Sequence, residues 1–146
     1  MADIRIDSLV KQFGGFTAVH DVKITVSDGE FMFMLGPSGC GKTTTLRMIA
    51  GLEMPSSGRI EIGGRNVTFL RPRHRNVGMV FQDYTSFDHR TVLENITFGL
   101  ECQVVPRSIR YDLGLHWITR VGLNIDKDAN KYPHELSGGM RQRVAI

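Results

Sequence analysis

Long apolar runs are what this 146-residue chain conspicuously lacks. No stretch approaches the ~18 to 20 apolar residues that cross a bilayer, and the N-terminus, M-A-D-I-R-I-D, lacks the apolar core of a signal peptide. A cytoplasmic location is expected unless a partner carries the chain to a membrane. Cysteine is scarce too: Cys40 and Cys102 cannot make a disulfide framework. Charge of one sign is also low, at a net +3, and the basic residues are scattered apart from Arg71, Arg73, His74 and Arg75 in a proline-containing loop. No aromatic residues are interleaved there for base stacking, so we read a solvated loop and no nucleic-acid partner. Internal repeats and low-complexity tracts are absent. What is there fits a soluble protein of one ordinary domain's length, large enough to bury a core: 41% hydrophobic, 23% charged, mean hydropathy -0.13.

Against this background Gly36 to Thr44, G-P-S-G-C-G-K-T-T, matches the phosphate-binding pattern G-x-x-x-x-G-K-[ST] without a mismatch. Glycines at 36, 39 and 41 let the backbone curl until successive N–H groups face one anion, and Pro37, Ser38 and Cys40 complete the loop. Cys40 is alkylatable in such a place, or is simply a side chain small enough for it. Lys42 is expected to reach the β and γ phosphates and Thr43 to offer its hydroxyl to Mg²⁺. The flanks agree. Glu30 to Leu35, E-F-M-F-M-L, predicts a short strand buried on both faces, and Thr44 to Leu52 places Leu46, Ile49, Ala50 and Leu52 at helical spacing. A helix starting there points its partial positive charge at phosphate.

Along the chain, Ile4 to Val10 predicts an edge strand. Val22, Ile24 and Val26 alternate with polar residues as a half-buried antiparallel strand, and Lys11 to Phe16 between them reads as a glycine-broken loop. Pro55 to Gly58 ends the first helix, Arg59 to Ile62 and Asn66-Val67 read as short strands, and Val77 to Phe81 as a second fully apolar strand ending at Gln82. From Asp83 the texture turns helical. Thr91 to Leu100 and Ser108 to Val121 are predicted helices, the latter with Ile109, Leu113, Trp117 and Val121 on one stripe. Gly122 stops it, and Asp126 to Asn130 reads as a polar linker. The expected organisation is a core segment over residues 1–83 and a helical subdomain over 84–146.

Ser137 to Ile146, S-G-G-M-R-Q-R-V-A-I, predicts a helix with Ser137 as N-cap and glycine backbone in its first turn, a second anion site. One ATP cannot easily use two such sites in one small chain, so two chains each bringing one is the simplest resolution.

The phosphate loop, the lone glutamine after the next apolar strand and L-S-G-G-M-R-Q-R together resemble the ATP-binding subunit of ABC transporters, whose signature motif is L-S-G-G-Q (or M). The likeness spans nearly the whole chain and is closer to prokaryotic importers. Gly36 to Glu53 is similar to sugar, polyamine and sulfate importer ATPases, and Tyr132 to Ile146 to the nitrate, sulfonate and taurine group, so the transported substrate stays open. The fold class implied is α/β: a P-loop NTPase core with N-terminal antiparallel β elements and a helical subdomain. Implied with it are ATP and Mg²⁺, a second ATPase subunit (the same or a different chain), transmembrane permease subunits, and a place on the inner face of the membrane.

Position by position, the resemblance puts Phe13 where the family stacks an aromatic, usually tyrosine, on adenine, though the residues alone also fit a small core aromatic. Val19 would pack near the same ring or, taken alone, in the core. Gln82 would ligate Mg²⁺ beside the attacking water, and Ser137, Gly138 and Gly139 would bind the γ-phosphate held by the opposite subunit. Ser86 and Asp88 depart from the family's pattern ahead of His89 to Val92, a segment facing the membrane partner, where His89 reads as a solvated side chain. The family's magnesium aspartate, catalytic glutamate, subunit-contact loop and switch histidine all fall after Ile146. No apolar run followed by Asp-Glu replaces them, and Glu53, Asp83 and Glu135 sit in other contexts. The expectation is a truncated reading of a longer subunit that binds ATP while turnover by the chain alone is nearly absent. The alternatives are a soluble non-transport ABC ATPase, a small-molecule P-loop kinase and an inactive nucleotide-binding fragment.

Overall fold

The computed structural model describes residues 2–83 and 85–146, so Tyr84, where the helical subdomain is expected to begin, lies outside the described residues. The chain divides into two compact units, one up to Met79 and one from Val80.

The first unit is built on an antiparallel sheet. Strands β1 (Ile4–Phe13), β2 (Phe16–Val26), β3 (Ser57–Ile62) and β4 (Arg65–Asn66) lie in the order β2-β1-β3-β4. Ile4 faces both Val26 of β2 and Ile62 of β3, so β1 is a central strand and not the expected edge. Register slips after Ile6 explain the misreading: they break the alternation and carry Leu9, with Ile6, into the core. Lys11 to Phe16 is no open loop either. Phe13 pairs with Phe16 and the chain turns at Gly14-Gly15, closing a hairpin. Helix α1 (Lys42–Ala50) follows the phosphate loop. Its Met48 is packed with Ile6, Leu9, Val19, Ile60 and Val67 in one buried cluster.

Two expected strands are not there. Glu30 to Leu35 has no regular structure, with Phe31 79% and Leu35 90% exposed, and Val77 to Phe81 is likewise irregular. A strand buried on both faces exists only through neighbours that take its N–H and C=O groups, and among the described residues none pairs with either run. Arg75 overturns the solvated-loop reading at its own position: it is 3% exposed.

The second unit is helical: α2 (Val92–Cys102), α3 (Arg107–Arg120), α4 (Ile125–Asp128) and α5 (Gly138–Ala145). A capping box starts α2. Thr91 Oγ1 accepts from Glu94 N at 3.3 Å, and the Glu94 carboxylate accepts from Thr91 N at 2.8 Å. Val92, Leu93, Ile118, Leu123, Ala129 and Leu136 form its core. On α3 three of the four predicted stripe residues face outward, while Val121 packs partly buried against the core. Ile109, Leu113 and Trp117 are exposed, while Gly114 and Ile118 are buried. Gly114 decides this, because a Cβ there would stand 2.5 Å from Leu93 Cδ1 and 2.6 Å from Thr97 Cγ2, so α2 and α3 touch along the glycine's side. The expected polar linker is a short helix instead, α4. Asn124 caps it through Lys127 N, and the buried Asp128 takes Asn124 N at 2.9 Å and Lys131 Nζ at 2.7 Å.

Candidate functional site

The phosphate loop runs straight into α1. Gly39 and Gly41 have φ of 82° and 89°, left-handed values that side chains resist. Gly41 is doubly constrained, since a Cβ would lie 2.5 Å from the Ala18 carbonyl oxygen and 3.0 Å from Val19 Cγ2. It is also the N-cap of α1 and offers no side chain to cap it. The first backbone bond of the turn runs from Thr45 N to the Gly41 carbonyl at 2.8 Å, and the Thr45 hydroxyl donates to the same oxygen at 2.9 Å. The amides of Lys42, Thr43 and Thr44 therefore have no carbonyl one turn earlier in the helix to receive them. Lys42 Nζ lies back over the loop, donating to the Gly36 carbonyl at 2.7 Å and the Pro37 carbonyl at 2.8 Å, with Cys40 Sγ at 3.5 Å. An ammonium, free amides and a helix's positive end thus share one short loop, and Thr43 is exposed beside them.

In the second unit α5 begins as predicted. Ser137 stands at the N-cap, its Oγ accepting from Met140 N at 3.4 Å. Gly138 and Gly139 are exposed, with nothing within 4 Å of where a Cβ would stand. Arg143 holds this helix to the end of α3, donating to the Val121 carbonyl at 3.3 Å and the Gly122 carbonyl at 3.1 Å.

Residues 19–146, which include both of these helix starts, match the ABC transporter family model. The chain belongs to the ABC transporter family. It is 48% identical to the trehalose/maltose import ATP-binding protein MalK of Thermococcus litoralis, aligned over 100% of this chain and 40% of that one. Its identity to the Fe(3+) ions import ATP-binding protein FbpC 1 of Rhizobium meliloti is also 48%, over 95% of this chain and 39% of that one. Among solved structures it resembles the post-hydrolysis dimer of the ATP-binding cassette MJ0796 bound to ADP and Pi, with TM-score 0.87 and 29% identity over 97% of this chain and 66% of that one. The fold class is therefore the α/β P-loop cassette. The chain spans about two fifths of the length of the curated relatives it matches.

Other positions singled out in this ABC sequence fall as follows. Phe13 ends β1 and is 47% exposed, which removes the core-aromatic reading, and Lys11 Nζ sits 4.6 Å from the ring centroid. Val19 is 3% exposed and packs in the core beside Gly41. Gln82 is exposed in an irregular stretch of the second unit. Two of the three carboxylates set aside are engaged in holding structure, and the third, Asp83, is exposed. Glu53 pairs with Lys11 at 2.6 Å, a contact that lowers its pKa, and Glu135 accepts from Tyr132 N at 2.7 Å.

Sequence reasoning missed two buried polar residues, one at each end of α1. Thr45 is a buried polar residue one turn into the helix, and its spacing of four from Gly41 was the available signal. Arg75 gave none, since a basic residue beside a proline reads as solvated.

Proposed function

We propose that this chain is the nucleotide-binding part of a subunit that energises import, closing head to tail with a second ATPase subunit on ATP. The observation that carries the proposal is the loop at 36–44, where Lys42 and the unassigned first-turn amides of α1 converge. Gly36, Pro37, Ser38, Gly39, Cys40, Gly41, Lys42, Thr43 and Thr44 would hold the phosphates, with Phe13 against adenine and Val19 behind the loop. Thr43 in the first unit and Gln82 in the second are exposed and would each offer Mg²⁺ a hard oxygen, and bound Mg²⁺ would draw charge off the γ-phosphate. Ser137, Gly138 and Gly139 of one copy would meet the γ-phosphate held by the other, since α5 starts with exposed glycines that a single loop-bound nucleotide does not need. In-line attack by water would be stabilised by Lys42 and these donors.

Residues 1–83 would form the nucleotide-binding core segment and 84–146 the helical subdomain, with permease subunits as partners on the inner face of the membrane. No described helix is long and apolar enough to cross a membrane. The two relatives named above are importers of different cargo, in accord with a substrate chosen outside this subunit.

The test is ATP binding with and without Mg²⁺ alongside phosphate release. Loss of one charge-assisted contact of up to about 3 kcal/mol predicts that Lys42→Ala weakens ATP binding ~10²-fold. Equal affinity of the two proteins for ATP would reject the site. Phosphate release by this chain at the rate of an intact transporter ATPase would show that one of the carboxylates set aside activates water.

A further inference from the structure

Arg75 is a buried cation with no carboxylate partner among the described residues. Its guanidinium is met by backbone oxygens. Nη1 donates to the carbonyls of Met48 at 2.6 Å and Ile49 at 2.9 Å, Nη2 to Thr68 at 3.0 Å, and Nε to Leu70 at 2.8 Å. Two of these acceptors lie in the last turn of α1, where the dipole is negative and the Met48 carbonyl otherwise takes the capping Gly51 amide at 3.1 Å. The other two lie in the segment after β4, which is itself tied to the sheet because the Thr68 hydroxyl accepts from Ile60 N at 2.9 Å. One planar fork thus clamps the far end of the phosphate-loop helix to the sheet. Gly51 caps that end with φ +77°, and a Cβ there would stand 2.5 Å from Arg75 Nε, so the backbone has been kept clear for the guanidinium. Burial pushes the Arg75 pKa down, and an arginine remains charged nonetheless.

We infer that Arg75 is a positioning residue for the phosphate loop: it fixes the C-terminal end of α1 and, through this short stiff helix, the direction in which the first turn faces bound phosphate. Nine residues make a lever of ~13 Å, so a 1 Å slip at one end tilts the other by roughly 4°. Errors of that size in a phosphate cradle are costly, because loop amides and ammonium must converge on the same oxygens. Lysine cannot replace the fork, having one nitrogen where four carbonyls diverge. The inference rests on the nucleotide reading for its effect on ATP, but not for the mechanical link itself.

The experiment compares the chain with Arg75→Lys, Arg75→Met and Ile60→Val, the last thinning the same core while leaving the clamp in place. Two readouts are taken well below the melting transition: hydrogen exchange at the Thr45 amide, which reports the first turn of α1 without any nucleotide, and the dissociation constant for ATP. Arg75→Lys should exchange Thr45 ~10-fold faster and bind ATP ~10-fold more weakly, Arg75→Met more so on both counts. Ile60→Val should change Thr45 exchange no more than its melting temperature accounts for and leave ATP affinity alone. Arg75 variants that merely melt earlier, with Thr45 exchange tracking global stability and ATP affinity unchanged, overturn the inference. Should the parent chain fail to bind ATP, the nucleotide reading falls and Thr45 exchange still decides for or against the clamp.

Discussion

Two helices in this chain begin where an anion could bind, and they begin differently. The loop before α1 places a left-handed glycine at the N-cap, with no side-chain cap and a lysine as first helical residue. Before α5 stands Ser137, whose hydroxyl already accepts one first-turn amide. A start that leaves its amides unassigned and adds an ammonium can hold a phosphate by itself. A self-capped start with bare glycines lacks that charge and suits a phosphate presented to it by another surface. The contrast teaches that the glycines differ in what surrounds them: Gly41 is fixed by its backbone conformation and close neighbours, while Gly138 and Gly139 face open space, which would give clearance to the ligand proposed there.

Alanine substitution separates these uses. Gly41→Ala forces a Cβ into a left-handed residue and within 2.5 Å of the Ala18 carbonyl, and should cost about 3 kcal/mol in chemical denaturation together with loss of ATP binding. Gly139→Ala meets nothing within 4 Å, and should leave the fold intact or stabilise it by up to about 1 kcal/mol. Its damage should appear only in ATP-dependent dimerisation, measured by light scattering. If both alanines destabilise alike, the distinction drawn between the two helix starts is wrong.

The serine cap is a smaller matter. Ser137→Ala removes an acceptor 3.4 Å from Met140 N, a long bond, so the expected loss is about 0.5 to 1 kcal/mol, at the low end for such caps. Ser137→Thr keeps the oxygen and should hold the parent's stability. A dimerisation defect that persists in Ser137→Thr would locate the serine's importance in the approaching phosphate's space, not in the cap.

How far the sequence was legible follows from whether each signal was local. The phosphate loop, the hairpin's alternating β2 and the Ser137 cap are set by residues within a few positions of one another, and each was readable. Glu30 to Leu35 and Val77 to Phe81 carry the composition of doubly buried strands but are irregular, because a strand is completed by partners and composition cannot supply them. On α3 a stripe of Ile109, Leu113, Trp117 and Val121 looked like the buried face, yet of the four only Val121 packs against the core. The packing instead follows Gly114, whose missing side chain lets Leu93 and Thr97 close in, a contact that apolar periodicity does not register. Arg75 failed for the same reason at longer range: its acceptors at 48 and 49 lie more than 25 positions back.

Acid should finally set the two units apart in what anchors them. Arg75 clamps the first unit with a charge that does not titrate in the working range. In the second, Asp128 holds the turn that leads toward Ser137, and the Lys131 ammonium, with the Asn124 amide, keeps its carboxyl below the usual range. A carboxyl whose pKa is depressed on folding stabilises fully above its unfolded value of about 3.9, and that contribution disappears as pH falls through the lower folded value. Trp117, the chain's one tryptophan, lies on α3 and reports this unit alone. Its denaturation midpoint should fall between pH 5 and pH 3 in the parent chain and fall less in Asp128→Asn, which begins from a lower midpoint at pH 7. Midpoints that drop in parallel in both proteins would assign the acid response to other carboxylates, such as Glu101 between Arg90 and Arg110, and would remove Asp128 as the anchor of the segment before α5.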